Sequence, residues 1–219
     1  MKIGCRLLLV IGASFLASSS LRSQMPETPG RQVAITIDDL PAGAAYSMSA
    51  PDITQMTAKL LAALREEKIP VVGFVNEKKL YKWGEVDERI KALQMWLDAG
   101  FELGNHTFAH TSLNRAGLKE FEDAIVQGEP VTTLLLAQHK MKLRYFRHPY
   151  LDTGRDLQTR REVEAFLVAR GYRIAPVTLD AWDWFFARLY DEARKHEDAA
   201  GQKEIANAYL SHSDAVFAY

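Results

Sequence analysis

From residue 31 onward, short apolar runs alternate with stretches whose apolar residues recur at helical spacing. Val33 to Ile37 (VAITI), Val71 to Val75 (VVGFV), Phe101 to Gly104 (FELG), a run starting at Tyr145 and Phe146, and Tyr172 to Leu179 read as strands. Between them, Ile53, Met56, Leu60, Leu61 and Leu64 mark a helix, with Ser49 and Pro51 as start signals. Ile90, Leu93 and Leu97 mark a second, which Gly100 should stop. Leu118, Phe121 and Ile125 mark a third, broken at Gly128 and Pro130 and resuming through Leu134 to Ala137. Val163, Phe166 and Leu167 mark a helix closed at Gly171. Strand–helix alternation of this kind predicts an α/β fold built on a parallel sheet, open or closed into a barrel. From Arg188 to Tyr219 the pattern is helical and charged, with opposite charges four apart on what reads as a solvated surface.

The first residues follow a different pattern. Lys2 and Arg6 flank an apolar stretch from Leu7 to Leu16, and the small residues Ala17 to Ser20 follow it. This is the pattern of a secretory signal peptide, residues 1–20, with a polar, Pro-containing linker over 21–30 and a folded domain over 31–219. The apolar run is too short to span a bilayer. The mature chain is therefore expected to be secreted or periplasmic, with no membrane span after cleavage. The single cysteine, Cys5, lies inside the leader, so thiolate nucleophiles, disulfides and Cys metal sites are excluded from the mature chain. A formal net charge of −1 leaves no basic field to hold nucleic acid.

Four polar clusters each follow a predicted strand: Asp38 and Asp39; His106 and His110 (HTFAH); Arg147, Pro149 and Tyr150 (RHPY); and Asp180, Trp182, Asp183 and Trp184 (DAWDW). The carboxyl ends of parallel strands share one face, so these residues should converge there. Each motif is weak alone. Most HxxxH pairs are surface or packing histidines, and Asp-Asp-Leu-Pro-Ala-Gly by itself reads as a turn. Together they are stronger. On a helical turn both imidazoles would share a face, and a carboxylate would complete a His–His–carboxylate set with an open position for water. Adjacent aspartates repel unless a cation and an arginine offset them.

In the same order, ITIDD, HTFAH, RHPY and DAWDW resemble four motifs of the polysaccharide deacetylases, also called the NodB-homology or carbohydrate esterase 4 family. The resemblance runs from about Val33 to Trp184. It implies an irregular (β/α) barrel of the NodB-homology type, incomplete at its C-terminus, and hydrolysis of N-acetyl groups on chitin-like or peptidoglycan sugars. It implies Asp38 as general base, with Asp39, His106 and His110 as ligands of a divalent metal, zinc being the expected ion. Arg147 would orient the base, and together with the cation would hold its pKa down. The backbone N–H of Tyr150 would serve the oxyanion, Asp183 would support a later histidine, and Trp184 would wall the acetyl pocket. The partner implied is an N-acetylated polysaccharide or oligosaccharide.

The family's fifth motif, an apolar strand ending in Leu-x-His, finds no match after Trp184. His196 and His212 lie in charged helical sequence and are read as solvated. The 219-residue chain is therefore expected to bind metal but to lack the acid that protonates the leaving amine, and so to be nearly inactive. Other residues receive plainer readings: Trp83 and Trp96 as packing residues, and Asn105-His106-Thr107 as a coincidental glycosylation match. An amidase on a small non-sugar substrate and a non-catalytic cell-wall binding protein stand as alternatives. A phosphoesterase is disfavoured, because no basic cluster surrounds the motifs.

Overall fold

A computed structural model describes residues 33–218, so the expected leader (1–20) and the whole expected linker (21–30) lie outside the described residues. Five parallel strands run in chain order across one sheet: β1 (Ile35–Leu40), β2 (Val71–Val75), β3 (Glu102–Asn105), β4 (Tyr145–Phe146) and β5 (Arg173–Ile174). Eight helices connect and follow them among the described residues: α1 (Ala50–Glu66), α2 (Val86–Asp98), α3 (Leu113–Ala116), α4 (Leu118–Gln127), α5 (Pro130–Gln138), α6 (Leu157–Ala169), α7 (Asp183–Lys195) and α8 (Ala199–Phe217). Short 3-10 turns lie at Glu77–Leu80 and Pro149–Leu151. The predicted α/β class and parallel sheet are what the chain forms. Among the described residues β5 does not pair with β1, so the sheet is an open run of strands.

Local signals account for several boundaries. The Ser49 hydroxyl accepts from the Asp52 N–H at 3.3 Å, and Pro51 sits in the first turn, so α1 begins where its cap and proline direct. Asp156 caps α6 in the same way through the Thr159 N–H at 2.8 Å. The fifth strand is the largest departure. The apolar run to Leu179 pairs only at Arg173 and Ile174, because β4 itself offers two residues as a ladder. The DAWDW segment therefore follows coil, and Asp183 opens α7.

The main core lies between the sheet and helices α1, α2 and α5, where Val75, Leu80, Leu93, Trp96, Leu103 and Leu136 are buried. Side chains of this size each contribute about 1.5–3 kcal/mol when fully removed from water. A second cluster of Phe121, Ile125, Phe146, Val163 and Leu167 closes the β4 side. Trp96 packs as expected, but Trp83 is 99% exposed and packs against nothing. No residue of α7 or α8 is fully buried; the two helices lie against each other, with Phe186 meeting Tyr209 and His212. His196 is solvated and pairs with Glu192 at 3.1 Å. His212 is not: half-buried, it lies between the rings of Trp182 and Phe186. Among the described residues, no helix is long and apolar enough to cross a membrane.

Candidate metal centre

The ladder between β1 and β2 runs in register to Ile37↔Gly73 and then skips to Leu40↔Val75. That irregularity expels Asp38 and Asp39 from the ladder within the strand rather than after it. Asp39 takes φ +69°, the left-handed region in which a non-glycine residue is uncommon. Bulges of this kind re-aim side chains beside functional sites.

The histidine loop follows β3. His106 continues the ladder through its N–H to the Val75 carbonyl at 3.0 Å, but Thr107 and His110 both have positive φ. The pair is therefore not on a helical turn, as its spacing suggested. Instead the loop is wound by bonds from the Thr107 N–H to Asn105 Oδ1 (2.7 Å) and from the Thr111 N–H to Thr107 Oγ1 (2.8 Å). Asn76 Nδ2 adds a bond to the His106 carbonyl at 2.6 Å. Gly128 lets this loop sit close, because a Cβ there would lie 2.9 Å from the Phe108 nitrogen. Asn105 is wholly buried and bonded, so glycosylation of the folded chain at that match is excluded.

These two backbone features bring Asp39, His106 and His110 together, with one donor atom from each inside 4.8 Å. The donor set suits a divalent ion. His106 Nδ1 is engaged by the Arg147 carbonyl at 2.9 Å, which leaves Nε2 free on the side facing the carboxylates. Burial pushes His106 down to about 4 and lowers His110 too, so both rings are neutral, the form that ligates a metal. For Asp39, burial acts to raise the carboxyl, but the charge and hydrogen bond of Lys79, with the two histidines, outweigh it and lower the pKa.

Asp38 stands beside this set, its Oδ2 3.4 Å from Arg147 Nη1 and 3.9 Å from His106 Nε2. Its Oδ1 is buried with no hydrogen-bond partner among the described residues. Arg147 alone does not hold the Asp38 pKa down. Burial raises Asp38 to about 6, against the pull of Arg147, and the charges of Asp39 and Asp183 add to the rise.

The match to known proteins agrees with this geometry. A family model for polysaccharide deacetylases matches residues 26–166. The chain belongs to the polysaccharide deacetylase family. Its structure is similar to that of a polysaccharide deacetylase from Bacillus cereus, with a TM-score of 0.52 and 20% identity, over 82% of this chain and 74% of that one. It is also similar to a CE4 family pseudoenzyme from Bacillus anthracis, with a TM-score of 0.52 and 16% identity over 82% of this chain and 59% of that one. A mutant CE4 family pseudoenzyme with restored enzymatic activity gives 0.54 and 18%, over 82% and 61%. At these identities the likeness is one of fold. The chain spans about three-fifths of the length of that pseudoenzyme and its mutant.

In this member of the family the remaining expected residues divide. Arg147 is buried, its guanidinium 4.8 Å above the Phe74 ring, and it donates to Thr36 Oγ1 at 2.9 Å. Tyr150 lies with its ring 4.3 Å from that of His110, and its backbone is left-handed at φ +57°. Asp183 is near enough for its charge to act on Asp38. Trp184 is not gathered in: it is 61% exposed, and its ring meets Phe185.

One residue at the centre, Lys79, was not anticipated. Its Nζ lies 2.8 Å from Asp39 Oδ1. The signal was present, since Asn76-Glu77-Lys78-Lys79 is a fifth polar cluster following a predicted strand. Nothing in composition separates buried Lys79 from its neighbour Lys78.

Proposed function

We propose that the protein is a metal-dependent hydrolase that removes N-acetyl groups from amino sugars of a polysaccharide or oligosaccharide. The observation that carries this reading is the placement of a free, buried carboxylate oxygen, Asp38 Oδ1, beside a His–His–carboxylate donor set. Asp39, His106 and His110 would hold the cation, with zinc the best match to two imidazoles and one carboxylate. When bound, such an ion acidifies water toward neutrality and polarises a carbonyl.

The chain's own residues supply the base, its orientation and the oxyanion donor, while no acid for the leaving amine is assigned among the described residues. Asp38, ionised above about pH 6, accepts the proton of the attacking water. Arg147 fixes the orientation of that carboxylate and is itself fixed by Thr36 and the Phe74 face. Tyr150, held against His110, borders the place where the acyl group must lie, and its N–H is assigned to the developing oxyanion. Asp183 and Trp184 are proposed for the positioning and acetyl-pocket roles that their motif implies. The leader pattern of residues 1–20 supports a secreted or periplasmic location.

Release of acetate from N-acetylated glucosamine oligomers, with and without chelator, tests the reading. Slow, chelator-sensitive release on sugars, absent with small non-sugar amides, is the expected result, since no acid for the leaving amine is assigned. Release only from the small amides would move the assignment to an amidase using the same residues.

A further inference from the structure

The polar run after β2 places a cation in the metal centre that the proposed chemistry does not use. Lys79 lies in the 3-10 turn Glu77–Leu80 and is 5% exposed. Its Nζ donates to Asp39 Oδ1 at 2.8 Å and to the Asp39 carbonyl at 3.2 Å. A lysine normally lays its stem on the protein and keeps its ammonium in water, so a buried one needs a partner and a reason.

The position is built rather than incidental. Arg89, fully buried, donates from Nη1 to the Lys79 carbonyl at 2.8 Å and from Nη2 to the Met48 carbonyl at 2.8 Å, with Glu85 as its counter-ion. The Lys79 N–H donates to the Asn76 carbonyl at 3.0 Å, and the Asn76 side chain holds the carbonyls of His106 and Thr107. One turn therefore anchors both the lysine and the histidine loop. The oxygen that takes the ammonium, Asp39 Oδ1, is also 3.9 Å from His110 Nε2. The ammonium would therefore share this carboxylate with an ion held by Asp39, His106 and His110.

We propose that Lys79 is the resident counter-ion of Asp39. By grasping both the carbonyl and the carboxylate, it keeps Asp39 in its left-handed position when no metal is bound. By repelling a second cation and withdrawing charge from Oδ1, it loosens the site's hold on a divalent ion, so that metal is taken up reversibly. Lys79 is a positioning residue in this account and touches no reacting atom. The inference rests on the metal-centre reading above.

Calorimetric titration of the full chain with zinc tests it, on the wild type and on Lys79→Met and Lys79→Arg, alongside thermal melting of each without zinc. The wild type should bind one ion. Lys79→Met should bind it on the order of tenfold more tightly or better, melt lower without zinc and gain more from zinc. Lys79→Arg, which keeps the charge, should stay near the wild type. Lys79→Met binding no more tightly than wild type would overturn the proposal, as would Lys79→Arg tightening equally. Should Lys79→Met fold only when zinc is present, the ion has replaced the lysine as expected; failure to fold with or without zinc contradicts it. A wild type that binds no zinc sinks the metal-centre reading itself, a result distinct from these.

Discussion

The guanidinium of Arg147 lies 3.4 Å from the Asp38 carboxylate, yet burial still raises that carboxyl to about 6. The base works only when ionised, so kcat/KM should fall about tenfold per pH unit on the acid side. A cation at Asp39 adds positive charge nearby, which places the limb of the loaded enzyme at or below about 6. Arg147→Met removes the main opposing charge and should move the limb to higher pH. A pH profile of acetate release that leaves the limb unmoved would separate Arg147 from the base.

Asp38→Asn should lower kcat by about 10²- to 10⁴-fold, the usual worth of a positioned base. Zinc affinity should be retained, since Asp38 lies outside the three-residue donor set. Paired turnover and zinc titration on this variant check both halves. Loss of zinc binding together with activity would make Asp38 a ligand instead.

His148 stacks 5.7 Å from Phe121 and meets Phe146 edge-on, and its burial lowers its pKa to about 4. The folded value is depressed, so its contribution to stability is complete above the ordinary value near 6.5 and is lost as pH falls through about 4. The loss is on the order of 3 kcal/mol. His106 adds the same dependence, while Asp38, with a raised pKa, contributes the opposite sign between about 3.8 and about 6. Urea titrations from pH 7 to 4 should show falling stability, with a shallower slope in His148→Leu. An unchanged slope in that variant would place the titrating histidine elsewhere.

Gly104 leaves no room for a methyl group, because a Cβ there would sit 2.5 Å from the Phe74 ring. Phe74 is fully buried and carries Arg147 on its face. Gly104→Ala should destabilise the protein by about 1–3 kcal/mol and lower activity by displacing Arg147. Denaturant melting beside turnover would show whether both effects appear.

The elements that carry strong periodicity were legible in the sequence: β2, α1 and α2 fall close to their apolar patterns, and Ser49 and Pro51 mark the start of α1. Motif order likewise brought Asp38, Asp39, His106, His110 and Arg147 to one place. What the pattern missed was set by tertiary contacts. The winding of HTFAH depends on Asn105, Asn76 and Ala124 rather than on a local helical preference. The short β5 reflects how little of β4 is available for pairing. Asp38's raised pKa comes from burial, which no local spacing reveals. Lys79 was hidden for the same reason, because a lysine's default is the surface.

The most direct test of the whole account is the zinc content of purified protein, wild type against His110→Ala and Asp39→Asn, measured by metal analysis after equilibration with limiting zinc. One ion per wild-type chain, and loss of most of it in each variant, is the predicted result. A wild type that retains no divalent ion, or variants that retain as much as it does, would contradict the claim that Asp39, His106 and His110 form one metal centre.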